Sequence, residues 1–320
     1  MNTQLVSSVG IDVSKESLSF ATMLEDNSSV VKSYANDKDG INTMLASLRK
    51  NKTGFDIPCV IESTGDYHVR CAFMLADAGF NVNLINPLIT KQYQRTSVRN
   101  SKDDSIDAVR LARIGLMEPN LQPFNGTKQG FTLKKMVASV GKLENYQQQL
   151  KAHMRQLRDA EQFLGMKFDL SQLEKAITSI EKQIEVFEKY IHEHAPAKAI
   201  ELAEEVRGVS QTSMAKILSL LEGHEFETKD KLVAFTGLDV SARRSGTWKG
   251  RERISKRGSP HLRKLLFQIA WGLKQHNQDY KEYYTKMKER GLHYFTCLIA
   301  VARKFLRFLF ACLWKKSPAF

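Results

Sequence analysis

Val9-Gly-Ile-Asp-Val-Ser14 ends a run of apolar and β-branched residues with a single acid, Asp12, and the architecture of the first part of the chain follows from it. Two more short apolar runs follow closely, at residues 18–24 and 30–34. Runs of this length, separated by brief polar segments, are typical of consecutive strands joined by tight turns. We therefore expect an antiparallel meander, with Asp12 at the end of its first strand.

After the meander, the sequence alternates between helical and extended patterns. Helical patterns occupy residues 41–50, 66–78 and 105–117, and strand patterns occupy residues 57–61 and 82–86. Gly79 is expected to end the second helix, and Pro87 is expected to stop the last strand. The order β-β-β-α-β-α-β-α, with parallel crossovers after the meander, predicts an α/β ribonuclease-H-like domain.

The middle of the chain has the periodicity of two long helices. Gln147 occupies a core position of the first, where a buried polar side chain sets the register. The pattern predicts a coiled-coil linker, either folded back as a hairpin near Gly165 or paired with another chain. The two heptad seams are Met136, Val140, Leu143, Gln147, Leu150, Met154 and Leu157, then Leu173, Ile177, Ile180, Ile184, Phe187 and Ile191.

The last third of the chain is expected to be a mainly α-helical, strongly basic domain. The net charge is +13, and residues 200–320 hold 23 Lys and Arg against 12 Asp and Glu. A charge excess confined to one domain predicts a polyanionic partner at that domain. The segment Val206-Arg-Gly-Val-Ser210, before an apolar helix, has the pattern of a helix-hairpin-helix turn, whose amides hold a DNA phosphate.

Residues 243–264 form the most basic segment, with nine Lys and Arg and one acid, Glu252. Interleaved glycines and Trp248 favour a phosphate-contacting surface over a solvated loop. Stacking on unpaired bases is one role open to Trp248, Trp271 and the tyrosines near Tyr280. Core packing is the alternative favoured for most of them, with Trp248 as the exception. The predicted nucleic-acid-binding residues are Arg243, Arg244, Trp248, Lys249, Arg251, Arg253, Lys256, Arg257 and Arg263.

Four acids are candidate metal ligands. Asp12 and Glu62 end two strands that are neighbours in this fold, and Asp104 and Asp107 share one face of a helix. Carboxylates that lie close together repel one another unless divalent cations lie between them. A site with only oxygen ligands selects Mg²⁺, with Mn²⁺ as the alternative. Two such ions are the arrangement for phosphoryl transfer. Capping a turn or starting a helix is the ordinary alternative for each acid, and Asp103 competes for the third position.

Cysteine usage and hydropathy indicate the compartment. The four cysteines are scattered without a Cys-x-x-Cys pair, so neither a zinc site nor a disulfide framework is expected. Residues 1–10 read as a strand and not as a signal peptide. The longest apolar stretch, residues 292–302, is followed by Arg303 and Lys304 and is too short to span a bilayer. We expect a cytoplasmic protein without a membrane partner.

Several motifs, in this order along the chain, resemble the DEDD transposases of bacterial insertion sequences, relatives of the Piv DNA invertase. They are Val-Gly-Ile-Asp-Val-Ser, Ile-Glu-Ser-Thr-Gly, Asp-Ser-Ile-Asp-Ala, Gly237-Leu238 and Ser245-Gly246. The resemblance covers nearly the whole chain. It implies a RuvC-like DEDD catalytic domain at residues 1–125, a coiled-coil linker at 126–200 and a helical transposase domain at 201–320.

The same resemblance implies the roles of individual residues. Asp12, Glu62, Asp104 and Asp107 fall on the family's Mg²⁺-binding acids. Ser245 falls on the serine that attacks the DNA phosphate. Val240 replaces the usual proline of the motif that contains Ser245, and Arg207 and Ser210 replace a proline and a glycine of the phosphate-binding turn, but no catalytic position is lost.

The function implied is that of an RNA-guided transposase or recombinase, which cuts and rejoins donor and target DNA. Family members use a structured bridge RNA from the element's noncoding end, one loop pairing with the target and another with the donor. A serine-phosphate intermediate carries the strand, and the acids and the serine lie in different domains. A composite site is therefore open, either within one chain or between the chains of a dimer or tetramer, which the heptads favour.

Chemistry independently favours Ser245, because Arg243 and Arg244 precede it and a serine needs such help to attack a phosphodiester. Its local competitors are Ser241, Ser255 and Ser259, of which the last precedes a proline and is typical of a helix cap. Two other functions stay open. One is a metal-dependent junction nuclease that uses water, and the other is a non-catalytic nucleic-acid-binding relative of a transposase.

Overall fold

The structure is a computed structural model, and it separates into two compact units, residues 1–125 and 126–320. The first unit is α/β, and the second is mostly helical. None of the helices in the described part of the chain is long and apolar enough to cross a membrane. The residues described are 5–50, 54–63, 65–95, 104–118, 121, 123–241, 244–245, 248–249 and 253–314.

The first unit is built on a five-stranded mixed sheet. Its strand order is β3-β2-β1-β4-β5, with an antiparallel meander over the first three strands and parallel pairing of β1 with β4 and of β4 with β5. The predicted meander and parallel strands are confirmed. The elements are β1 (Val6–Val13), β2 (Ser17–Leu24), β3 (Ser29–Ala35), α1 (Lys38–Lys50), β4 (Pro58–Glu62), α2 (His68–Asp77), β5 (Asn81–Ile85), α3 (Pro87–Arg95) and α4 (Asp104–Met117).

One helix of this unit, α3, is absent from the sequence prediction. Pro87 was expected only to stop a strand, yet it is the first residue of α3. A proline suits that position because its missing amide hydrogen has no partner in the first turn of a helix. Gly79 does follow α2 as predicted, with a left-handed φ of 89°.

The two faces of the sheet bury different side chains because residues alternate along each strand. Ile11 and Ile61 belong to the larger core cluster, together with residues of α1 and α2 such as Leu48 and Leu75. On the opposite face, α4 packs against the strands, and Val60 forms a second cluster there with residues of that helix. The packing of α4 therefore buries the side chains on this second face of the sheet.

Gly10 is the point of closest approach between β1 and α4. A β-carbon at this position would lie 2.1 Å from the Ala108 carbonyl oxygen and 2.3 Å from the Ala112 amide nitrogen. Both atoms belong to the helix backbone, so no side-chain rotation relieves the clash. The Ser8 hydroxyl donates a hydrogen bond to the Ala112 carbonyl oxygen at 2.6 Å on the same face.

Gly10→Ala is expected to destabilise the first unit by about 1–3 kcal/mol, because α4 must move away from the sheet. Hydrogen exchange of peptides from β1 and α4 measures the loss, since all three tryptophans lie in the second unit. Gly54→Ala is the matched control, because its added carbon meets only the Ile57 side chain at 3.8 Å. Unchanged exchange in Gly10→Ala would contradict this account of the contact.

The second unit is a helical assembly with short two-stranded ladders. Its core is formed by buried residues of several helices, among them Leu202, Ile217, Leu266 and Phe305. Its elements are α5 (Lys128–Leu164), α6 (Ser171–Glu193), α7 (Ala197–Glu205), α8 (Gln211–Leu221), α9 (Lys229–Thr236), β6 (Val240–Ser241), β7 (Arg244–Ser245), β8 (Trp248–Lys249), β9 (Arg253–Ile254), α10 (Pro260–His276), α11 (Gln278–Glu289) and α12 (Tyr294–Leu313).

Helices α5 and α6 pack against each other as an antiparallel hairpin. Gly165 ends α5 in a left-handed conformation, with φ of 65°. The Gln147 side-chain amide donates to Glu181 across the pair at 2.7 Å, and the Lys151 ammonium lies 2.7 Å from the same carboxylate. Of the two arrangements open from the heptads, the fold-back near Gly165 is the one present within the chain.

Candidate functional site

Asp12 and Glu62 lie at neighbouring strand ends. Ile11 of β1 pairs with Ile61 of β4 in parallel register, and each acid is the next residue on its strand. Alternation places both acids on the face opposite the two isoleucines, which is the face that α4 covers. Both side chains are partly buried. The predicted pairing of these two strands is therefore confirmed.

The direction of α4 brings its first turn to the same end of the sheet. Near the start of β1, Ser8 lies against Gly115, whereas two residues on, Gly10 lies against Ala108. The helix therefore runs opposite to β1. Its N-terminal end points toward the strand end that carries Asp12.

Asp104 and Asp107 belong to this first part of α4. The side chain of Asp104, and all of its rival Asp103, lie outside the described residues. Asp107 is partly buried and forms an ion pair with Arg110, one helical turn further on, whose side chain is only 17% exposed. Sequence reasoning missed Arg110, although its i,i+3 spacing from Asp107 was the available signal. This guanidinium offsets part of the negative charge and holds the Asp107 carboxylate.

The donor chemistry at this end of the sheet suits a hard divalent cation, because Asp12, Glu62 and Asp107 offer only carboxylate oxygens. Among the side chains that the structure describes, no group of three or more His, Cys, Asp or Glu is close enough together to hold a metal ion.

Ser245 lies in a short antiparallel ladder in the second unit. It pairs with Trp248, and Arg244 pairs with Lys249, where β7 meets β8. Three residues of the predicted nucleic-acid-binding set, Arg244, Trp248 and Lys249, thus share one ladder with the predicted nucleophile, Ser245. Their side chains, and all of Arg243 and Arg251, lie outside the described residues.

The base of this basic segment is anchored to the helical core. Strands β6 and β9 pair there, and the Ser255 amide donates to the Asp239 carbonyl oxygen at 2.9 Å. The Ser255 hydroxyl also donates to the Asp239 carboxylate. From α12, the Arg303 Nε donates to the Leu238 carbonyl oxygen at 2.7 Å. The β6–β9 ladder and the residues just before it are therefore bonded to each other and to α12.

These contacts separate the candidate serines. Ser259 precedes α10 and its hydroxyl accepts a hydrogen bond from the Leu262 amide, which confirms its predicted role as a helix cap. Ser255 is bonded to Asp239, whereas the side chain of Ser241 lies outside the described residues. Two of the three serines that compete with Ser245, namely Ser255 and Ser259, thus have hydroxyl groups engaged in hydrogen bonds within the fold.

Three of the predicted phosphate-contacting side chains, those of Arg253, Lys256 and Arg257, are described and exposed. Lys256 has a left-handed backbone with φ of 56°, and its amide donates to the Gly237 carbonyl oxygen at 3.1 Å. Arg263 instead donates to the Gly258 carbonyl oxygen. Its guanidinium therefore joins the first turns of α10 to the residues directly before this helix.

Two aromatic expectations have different outcomes. Tyr280 is buried, as expected, with the Lys304 ammonium 4.8 Å from its ring centroid. Trp271 is an exception to the core packing expected for most of this group, because 51% of its surface is exposed on α10. Its neighbours along the helix are mostly apolar, so sequence periodicity alone did not separate it from the core stripe.

A cavity of about 490 Å³ lies beside the start of α5. His224 lines it, and burial together with the nearby Lys134 ammonium lowers the pKa of this imidazole to about 4. The Glu222 carboxylate in its wall accepts a hydrogen bond from the Thr127 hydroxyl at 2.9 Å. These contacts hold the helix start in place, and none of the predicted site residues lines the cavity.

Comparison with known proteins places the chain among transposases and related recombinases. Residues 9–160 match a family described as Transposase, the DEDD transposase domain of IS110, and residues 200–285 match Transposase IS116/IS110/IS902 family. The chain is 21% identical over 321 residues to the pilin gene-inverting protein of Moraxella bovis and 22% identical to that of Moraxella lacunata. Both alignments cover 97% of this chain and 96% of the relative.

Proposed function

Because this chain belongs to the DEDD transposases of the IS110 family, enzymes of DNA transposition and recombination, we propose that it is an RNA-guided recombinase with a serine nucleophile and a Mg²⁺ site. Its substrates are the donor and target DNA of an insertion sequence, in the bacterial cytoplasm. The observation that carries the proposal is the register of β1 and β4, which aligns Asp12 with Glu62 on the face of α4.

The proposed metal ligands are Asp12, Glu62, Asp104 and Asp107. When bound there, Mg²⁺ or Mn²⁺ would polarise the oxygens of the reacting phosphate. The chain supplies the geometry: hydrogen-bonded strands hold the first two acids, and the contact at Gly10 brings α4 to them. DEDD transposase domains typically depend on a divalent metal, which supports this assignment.

The proposed nucleophile is the Ser245 hydroxyl. Its oxygen forms a bond to phosphorus while the bond from phosphorus to one deoxyribose oxygen breaks. The serine proton passes to water or a neighbouring base, and the departing oxygen takes up a proton. Attack by the hydroxyl of the other DNA end then reverses the step and frees the serine. One phosphodiester is exchanged for another, so no energy source is consumed.

The basic surface and the long helices support the proposed partners. Exposed Arg253, Lys256 and Arg257 are suited to the phosphates of DNA and of a bridge RNA. We assign the α5–α6 seams to a coiled coil that also joins chains into a dimer or tetramer. The acids and Ser245 lie in different units of the chain.

Reconstitution tests the whole proposal. Purified protein, RNA transcribed from the noncoding DNA beside the gene, donor and target plasmids and Mg²⁺ are expected to yield joined donor–target DNA. Sequencing of the junctions identifies the product. Equal yield without the RNA would contradict RNA guidance, and equal yield in excess chelator would contradict the metal.

A further inference from the structure

A polar groove of about 450 Å³ lies at the junction of α10 and α11. Arg207, from the turn before α8, forms one wall, and His276 and Lys281 belong to the other. All three basic side chains are exposed, and Asp279 is the single acid in the lining. The uncharged lining residues are Gln275, Asn277 and Gln278. The lining therefore offers cations and amides, the groups that contact a phosphodiester backbone.

Trp271 lies one helical turn before Gln275 on the same face of α10. Along this face, His261 and Lys264 are covered by α5, where His261 lies against Gly141 and the Lys264 ammonium lies 2.7 Å from Glu144. Beyond the part that α5 covers, this face of α10 reaches the solvent, and half of the Trp271 indole surface is exposed. An exposed tryptophan beside a cationic groove combines a stacking surface with phosphate ligands.

Close backbone packing holds the two walls together. A β-carbon on Gly272 would lie 2.5 Å from the Gly208 carbonyl oxygen, and Gly208 has φ of 102°. Arg207 and Trp271 each precede one of these touching glycines. The guanidinium and the indole are thus carried by segments whose separation is set by direct backbone contact.

Helix α8 begins directly after the turn that carries Arg207. Ser210 caps α8, and its hydroxyl oxygen accepts a hydrogen bond from the Ser213 amide at 3.1 Å. The chain therefore satisfies this helix start with its own serine. The side chains that line the groove, including those of Arg207 and Lys281, are exposed to the solvent.

We propose that this groove binds an unpaired nucleic-acid strand, with phosphates at Arg207 and Lys281 and a base stacked on Trp271. A single strand is favoured over a duplex, because the indole face is useful only to a base that is free of its partner. Arg207 and Lys281 outnumber the acid Asp279 in the lining, so the groove keeps a net positive charge. The proposal rests on the proposed function for its ligand class.

Binding is measured by fluorescence anisotropy with labelled oligothymidylate, oligouridylate of equal length and a duplex, in chelator. Trp271→Ala is expected to weaken single-strand binding about ten-fold, and Trp271→Phe is expected to restore most of it. Arg207→Ala with Lys281→Ala is expected to lower the slope of log K against log salt by about 1.4, which is about 0.7 for each phosphate contact.

The matched control is Lys175→Ala with Lys182→Ala on α6, which removes the same charge from exposed positions. It is expected to leave affinity and salt slope unchanged. The larger loss among the two single strands identifies the natural ligand as guide RNA or as unwound DNA. Parent-like single-strand binding by Trp271→Ala, a parent-like slope in the charge variant, or a loss confined to the duplex would overturn the proposal.

These measurements are made in the Asp12→Ala background, where no reaction takes place if the proposed function holds. Groove binding is therefore read independently of cleavage and of the serine adduct. If Ser245 forms no adduct but Trp271→Ala loses single-strand affinity, the groove stands and the mechanism fails. The reverse pair of results keeps the mechanism and removes the groove.

Discussion

Ser245→Ala is expected to abolish the covalent protein–DNA adduct that a suicide DNA substrate traps with the parent protein. The reason is that the serine oxygen is the atom proposed to bond to phosphorus. DNA and RNA affinity is expected to survive, because binding depends on many cationic contacts and one hydroxyl is lost. Denaturing gels detect the adduct, and peptide mapping locates it.

Ser245→Cys and Ser259→Ala complete this test. The thiol keeps a nucleophile in place but matches Mg²⁺ and a hard oxygen site poorly, so weak residual activity is expected. Ser259→Ala removes a hydroxyl that caps α10 and is expected to lower stability by about 1 kcal/mol while keeping the adduct. An adduct on Ser241 would move the assignment, and cleavage without any adduct would identify a nuclease that uses water.

Asp12→Ala and Glu62→Ala are each expected to reduce recombination by about a thousand-fold or more, because each removes a ligand of the proposed metal site. The fold is expected to persist, since both side chains are only partly buried and neither is part of the apolar core. Recombination of plasmid substrates gives the rate, and Mn²⁺ binding followed by electron paramagnetic resonance gives the metal affinity.

Glu25→Gln is the matched control for the acids, since Glu25 is an exposed carboxylate of the same unit at the far end of the meander strands. Parent-like rates are expected for it. Parent-like recombination in Asp12→Ala would remove that residue from the site. Lost recombination with unchanged Mn²⁺ affinity would assign Asp12 a role other than metal binding.

Local patterns account for most of the elements of this fold. Alternation of apolar residues predicted the strands of the first unit, and heptad spacing predicted α5 and α6, because these periodicities reflect which side of one element is buried. Helix α3 escaped this reasoning, since Pro87 suits both the end of a strand and the start of a helix. Trp271 escaped it as well, because the sequence of α10 does not show how far along this helix a neighbouring helix covers it.

The sequence by itself determined the identities and order of the candidate residues: Asp12 and Glu62 at two strand ends, Asp104 and Asp107 one turn apart, and Ser245 in a basic segment. Only the tertiary structure decided which of them meet. The β1–β4 register, the Asp107–Arg110 pair, and the Ser255–Asp239 bond are set by packing among groups whose partners a one-dimensional pattern does not specify. Gly10 shows the physical reason, because its missing side chain has meaning only once the backbone of α4, about 100 residues away, lies against it.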